Sequence, residues 1–339
     1  MKCKGWVLAL CAVMVLLTAG CSAKKPVDLE EPVEQVPTAA ELQASLLEDV
    51  GATREVTLYF KDLAGYIVPV NCEIPWEEGI AKATLKQMVS SEQNDLQAAR
   101  LGLLTALPEG LEVDMDIVGQ QAKVSLSKEC MNCIDAEEEY AMVCAIVSAL
   151  TEFDTISEVQ LLVAGEQVEK LTYGTNISAP LKRSDLNIES VSADLDTTGA
   201  GAVQVFFASE ASGCMVPVTR TVFSNEDVDT AVLELLKGPK EGSGLAGCMP
   251  KGVGLISVKQ KDGVVTINMS KEFKDVVLMA DGGQAAVKAL VLTCSQFEGV
   301  KEVKIQVEGE EFQLDQQTLA ATTVVNTEAE ALMASAIWE

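Results

Sequence analysis

From Val56 the chain alternates apolar and polar positions, so that Val56, Leu58 and Phe60 fall on one side of a half-buried strand. A second extended piece follows over residues 68–74, where Pro69 lacks a ladder donor and predicts an edge or irregular strand. The period then changes. In the later half Val228, Ala231, Val232, Leu235 and Leu236 recur at helical spacing until Gly238-Pro239 ends the helix; the earlier counterpart, Ile80 to Val89, is a weaker stripe. Two more strands come next, joined in the later half by Asp262-Gly263, a strong two-residue hairpin signal. A longer helix then places Val143, Ile146, Val147, Leu150 and Phe153 on one face, and Val287, Leu290, Val291, Cys294 and Phe297 reproduce that face. A last strand closes each half, with Ala164-Gly165 and Glu308-Gly309 as tight turns that add a short hairpin arm.

The two halves are copies, which decides the fold. Val56-Thr57-Leu58-Tyr59-Phe60 matches Val203-Gln204-Val205-Phe206-Phe207, and Val68-Pro69-Val70 matches Val216-Pro217-Val218. Ala106-Leu107-Pro108-Glu109-Gly110 pairs with Cys248-Met249-Pro250-Lys251-Gly252, and the strand entering Ser127-Lys128-Glu129 pairs with the one entering Ser270-Lys271-Glu272. Glu158 to Val163 pairs with Glu302 to Val307, and the order is collinear throughout. The expected fold class is α+β: two tandem repeats of a β-β-α-β-β-α-β unit, each a small sheet with two helices on one face. The repeats are placed at 55–185 and 202–315, with a polar linker at 186–201. Residues 316–339 form an acidic, Ala-rich tail with helical character from Glu328 to Ile337, and residues 21–54, rich in Pro, Glu and Ala, read as a disordered tether.

Length changes the picture little: 339 residues accommodate two domains. Charge changes it more, because 25 Lys plus Arg against 51 Asp plus Glu give a formal charge of −26 and exclude a nucleic-acid partner. There is no histidine, which removes His-assisted nucleophiles and His-ligated metals. Aromatic residues make up only 4%, so stacking platforms for bases or sugars are poorly supplied.

Residues 1–20 combine Lys2 and Lys4 with an apolar run over 6–17, too short to span a bilayer comfortably, and read as an export signal peptide. Leu17-Thr18-Ala19-Gly20-Cys21 resembles the lipobox of bacterial lipoproteins, with Thr18 where Leu is commoner. That resemblance implies lipidation of the Cys21 thiol, a mature chain starting there, and membrane anchoring through buried acyl chains at ~0.8 kcal/mol per CH₂. An acidic protein is repelled by an anionic surface, so the lipid has to hold it.

The remaining chemistry is sparse. Cys130-Met131-Asn132-Cys133 has redox or zinc spacing, but zinc needs two further ligands; a disulfide or a pair of unremarkable thiols is the simpler reading. Together with Cys72, Cys144, Cys214, Cys248 and Cys294 these make an odd set that does not recur between copies, which favours buried thiols over a disulfide framework. Asp194-Leu195-Asp196-Thr197-Thr198-Gly199 starts like a calcium loop, but Val205 stands at its twelfth position and a solvated linker is favoured. Asp114 and Asp116 alternate on a strand as a wet face does. Ser127-Lys128 and Ser270-Lys271 suggest a Ser-Lys dyad, yet adjacent strand residues point to opposite faces.

These motifs in this order (Val-Pro-Val, Leu-Pro-Glu-Gly, Leu-Ser-Lys-Glu and Leu-Thr-Glu-Phe over residues 56–183, with their counterparts over 203–314) resemble the GerMN domains of the GerM-like sporulation and spore germination lipoproteins. Pro180-Leu181-Lys182-Arg183 resembles the end of that family's first domain. The first copy departs at Ser91-Glu92-Gln93, where Gly-Pro is usual, and by the insertion Cys130 to Cys133. The resemblance implies a non-enzymatic, membrane-anchored scaffold of Gram-positive spore formers. It would stand on the outer face of the cytoplasmic membrane, in the intermembrane space of the developing spore, contacting envelope or sporulation-complex proteins. It brings no catalytic residue, cofactor or metal. The rival readings are a peptidoglycan- or ligand-binding envelope lipoprotein and, behind it, a cell-wall hydrolase.

Overall fold

The computed structural model describes residues 52–189, 191, 196–279, 281, 283–314, 319–320, 322 and 324–337. The export signal, Cys21 and nearly all of the tether lie outside them. Thr53 and Arg54, assigned to the tether by sequence, already belong to the first strand.

The first repeat opens with an antiparallel hairpin, β1 (Thr53–Lys61) and β2 (Ile67–Pro75), in which Thr57 pairs with Asn71 and Tyr59 with Pro69. Helices α1 (Ile80–Met88) and α2 (Glu92–Arg100) follow. The second of these arises where the first copy lacks Gly-Pro: Ser91 becomes an N-cap, its hydroxyl accepting from Asn94 N at 3.2 Å. Strands β3 (Val113–Val118) and β4 (Gln121–Leu126) pair antiparallel, and α3 (Ala136–Thr151) carries the chain over to β5 (Glu158–Val163), parallel to β4.

The second repeat has the same order. It comprises β6 (Gly201–Ser209), β7 (Met215–Val222), α4 (Val228–Leu236), a two-residue β8 (Leu245–Ala246), β9 (Leu255–Lys261), β10 (Val264–Met269), α5 (Gln284–Ser295) and β11 (Glu302–Val307). Strands β12 (Glu310–Phe312) and β13 (Leu319–Ala320) both pair with β11, and α6 (Glu328–Ile337) ends the described chain. The strands of each repeat fall into a hairpin, widened in the second by β8 on the edge of β6, and a separate small sheet, β3-β4-β5 in the first and β12-β11-β10-β9 with β13 on β11 in the second. In the first repeat α1 and α3 pack on each other and each touches both the hairpin and the sheet; in the second, α4 bridges β6 and β9.

Local chemistry explains these elements. Asp135 caps α3 by accepting from Glu138 N at 2.8 Å, and Asp227 caps α4 by accepting from Thr230 N at 2.9 Å. At the β9–β10 connection Asp262 and Gly263 both have positive φ, 54° and 82°, the backbone that a two-residue primed turn requires. The long helices are buried almost all round, Met142 through Leu150 of α3 being buried without a break, so their sequences carry more than one apolar stripe.

Val147 and Val291 lie in these faces, 2% and 5% exposed. Val147→Asp and Val291→Asp each bury an unpaired carboxylate at a cost of about 4 kcal/mol or more. Each variant should lose the cooperative melting transition of its own repeat, read by circular dichroism; unchanged melting in both would show that the helix faces are wrongly assigned.

Candidate functional site

The motifs singled out in the sequence are mostly structural. Ser127 and Ser270 sit just past β4 and β10, where each hydroxyl accepts from a backbone N–H at the entry of the neighbouring strand: Glu112 N at 3.0 Å and Gly254 N at 2.9 Å. The hydroxyls also hold the carboxyls of Glu129 and Glu272 below the usual carboxylate range. The repeated Ser-Lys-Glu is therefore a latch between adjacent strands, and its lysines point to solvent.

Cys130 and Cys133 lie in and just beyond a short 3₁₀ turn (Lys128–Met131) before α3. All seven described cysteines are free and buried. Burial pushes Cys130, Cys133 and Cys248 up to about 11, and Cys72 and Cys294 up to about 12, so these thiols stay protonated at neutral pH. Asp114 is exposed and pairs with Lys82 at 2.9 Å. Asp194 lies outside the described residues, while Asp196 turns back to accept from Thr198 N at 2.9 Å. Among the described residues no three acidic or cysteine side chains converge as a metal site requires.

What sequence reasoning missed is the seam where the two hairpins meet. Thr57, Tyr59, Pro69 and Asn71 of the first repeat, with Gln204 and Pro217 of the second, line a polar cavity of about 380 Å³ there. The alternate residues Leu58, Phe60, Val68 and Val70 then face the repeat's own helices; each is at most 1% exposed.

Two asparagines bracket the seam in equivalent ways. Asn187 accepts from Ile67 N at 2.8 Å and donates to Ile67 O at 2.8 Å and Pro217 O at 2.7 Å. Asn326 accepts from Met215 N at 2.8 Å and donates to Met215 O and Pro69 O, both at 2.9 Å. Each asparagine thus follows one repeat, grips that repeat's second strand, and reaches the proline carbonyl of the other. The backbone repeats the exchange: Thr219 N bonds to Asn187 O at 3.3 Å, and Asn71 N to Asn326 O at 2.7 Å. The segment expected as a tail beyond residue 315 therefore contributes a strap seated on the first repeat. Its signal in the sequence is faint, a Leu-Asn and a Val-Asn 139 residues apart.

A buried carboxylate fastens the seam further, and charged networks brace the separate repeats. Buried Asp62 accepts from Ser209 Oγ at 2.9 Å and from Ala64 N and Tyr66 N, both at 2.9 Å; desolvation raises its carboxyl above the ordinary aspartate range despite these donors. Arg220, 7% exposed at its side chain, donates to Glu234 O at 2.6 Å, to Gly238 O at 2.7 Å and to Glu189 at 3.1 Å, and lies 5.2 Å over the Phe207 ring. In the first repeat Tyr59 donates to Glu152 at 2.6 Å, and Arg183 reaches Glu152 at 2.7 Å and the Tyr59 hydroxyl at 3.0 Å. Burial pushes the Tyr59 phenol well above its ordinary range.

Fold and seam define the class first: a duplicated α+β domain whose repeated polar motifs position backbone. The chain belongs to the Germane family, described by sporulation and spore germination, whose model matches residues 57–169 and 204–313. It is similar to the spore germination protein GerM of Bacillus subtilis (strain 168), with 28% identity over 335 residues covering 89% of this chain and 90% of that protein. It is also similar to the solved structure of the tandem GerMN domains of the sporulation protein GerM from Bacillus subtilis, with TM-score 0.70 and 27% identity, covering 81% of this chain and 99% of that one. No helix among the described residues is long and apolar enough to cross a membrane.

Asn326→Ala leaves buried backbone groups of Met215 and Pro69 unpaired and should cost about 3 kcal/mol in denaturant unfolding; Asn187→Ala, at a half-buried site, should cost about half as much. A loss under about 0.5 kcal/mol for Asn326→Ala would remove the bracket from the account. Separately, iodoacetamide at neutral pH should leave all seven described thiols unmodified in the native protein and alkylate them in denaturant, by mass spectrometry; rapid native labelling of Cys130 or Cys133 would contradict their burial.

Proposed function

We propose that this protein is a non-enzymatic scaffold lipoprotein, held by lipid on Cys21 at the outer face of the cytoplasmic membrane, that works by protein–protein contact in the cell envelope during sporulation and spore germination. The observation that carries the reading is the collinear kinship with GerM along 89% of the chain. Two others support it. The lipobox-like Leu17 to Cys21 supplies an anchor, and the Ser-Lys pairs and cysteines, which a hydrolase or redox reading would recruit, are occupied in latches or buried. The partners are envelope or sporulation-complex proteins, in the space between the mother cell and forespore membranes.

Cys21→Ala should move the protein from the membrane fraction to the soluble fraction, whereas retention at the wild-type level would overturn the anchor. The lipidated wild type should co-purify with envelope proteins from sporulating cells and release no muropeptides from peptidoglycan; release would establish the hydrolase reading instead.

A further inference from the structure

The two repeats differ at one point of the seam where they ought to match. In β6 the backbone of Gln204 points away from β7, and the side chain of Gln296, at the end of α5, sits on it like a neighbouring strand: its Oε1 accepts from Gln204 N at 2.8 Å and its Nε2 donates to Gln204 O at 2.6 Å. The equivalents in the first repeat are Thr57 in β1 and Glu152 at the end of α3. Lys61 exchanges bonds with Leu104 on the edge of β1 away from β2, Lys61 N to Leu104 O at 2.8 Å and Leu104 N to Lys61 O at 2.7 Å. By the two-residue period of a strand, the backbone of Thr57, Glu55 and Thr53 points to that same outer edge. Glu152, however, is a carboxylate. It has no N–H to give the Thr57 carbonyl, and it is turned to Tyr59 and Arg183. Among the described residues nothing takes on Thr57 the place that Gln296 takes on Gln204.

We infer that the outer edge of β1 from Thr53 to Thr57 is a docking site for an extended peptide segment of a partner protein, which adds to the hairpin as a further strand. The molecule itself shows the group the position accepts: the Gln296 carboxamide has the donor and acceptor of one peptide unit, and it makes both bonds on the equivalent backbone. Thr53, Arg54 and Glu55 are exposed and Thr57 half-buried, so an added strand can reach them, while buried Tyr59 marks where it must stop. Thr57 and Glu152 also line the seam cavity, which would receive the peptide's side chain at that end. An unpaired edge is a template for strand addition, and backbone pairing supplies the affinity of such contacts. The inference deepens the scaffold reading and rests on it for the partner being a protein.

The test uses the full chain in detergent with a defined probe, the capped hexapeptide acetyl-(Thr-Val)₃-amide, followed by amide NMR. In the wild type the probe should shift the Glu55 and Thr57 amides, and without it the Thr57 amide should exchange with solvent about tenfold faster than that of Gln204, the worth of one hydrogen bond. Glu152→Gln gives the first repeat the carboxamide of the second. It should slow exchange at Thr57 to the Gln204 level and abolish the peptide shifts. Gln296→Ala should create the converse, new peptide shifts at Gln204. A Thr57 amide already protected in the wild type, by the chain's own N-terminal residues or otherwise, overturns the proposal. So do an absence of shifts at Thr57 and shifts that persist in Glu152→Gln. None of these outcomes bears on the lipid anchor or on muropeptide release, so the scaffold reading stands or falls separately.

Discussion

The structure depends on two hairpins being buried on both faces at once. Each must cover its own helices with one face and the other repeat with the second, which is why β7 is almost entirely buried and why Leu58 to Phe60 of β1 and Ile67 to Val70 of β2 are buried without a break. Pro69 and Pro217 sit in the middle of this contact and have no N–H to offer, yet their carbonyls still need partners in a place water reaches poorly. The two asparagines answer that need. Asn187 adopts φ 51°, a left-handed backbone that asparagine tolerates better than most side chains.

Much of the fold was legible because it is local. The faces of α3 and α5, the Asp262-Gly263 turn and the collinear copies all follow from periodicity and turn chemistry acting over a few residues, and the structure carries each of them. The seam was not legible, because its determinants are single polar residues in short irregular segments, most of them meeting partners more than a hundred positions away. The reach from Asn326 to Pro69 spans 257 residues and leaves no periodic trace. Helix α2 was missed for a different reason: the loss of Gly-Pro reads as a departure from pattern, whereas Ser91 in its place starts a helix.

The candidate chemistry was legible only as residue types. Ser-Lys, CxxC and paired aspartates were visible as motifs, but their roles turn on who their neighbours are. Ser127 and Ser270 meet backbone N–H groups of an adjacent strand rather than a lysine. Conversely the contrast between Glu152 and Gln296, one atom apart in chemistry, is invisible as a motif and becomes informative only when both are seen beside equivalent backbone.

The exchanged straps have a mechanical meaning. Tension applied between Thr53 and Thr327 would run along β1, across its pairing with β2, and out through the bridge between Asn71 and Thr327. The helices and small sheet of the second repeat lie off that line. A load borne through these two points would be resisted first by sheared backbone ladders in the first repeat and by the grip of Asn326 on Met215, before the helices of the second repeat are drawn in.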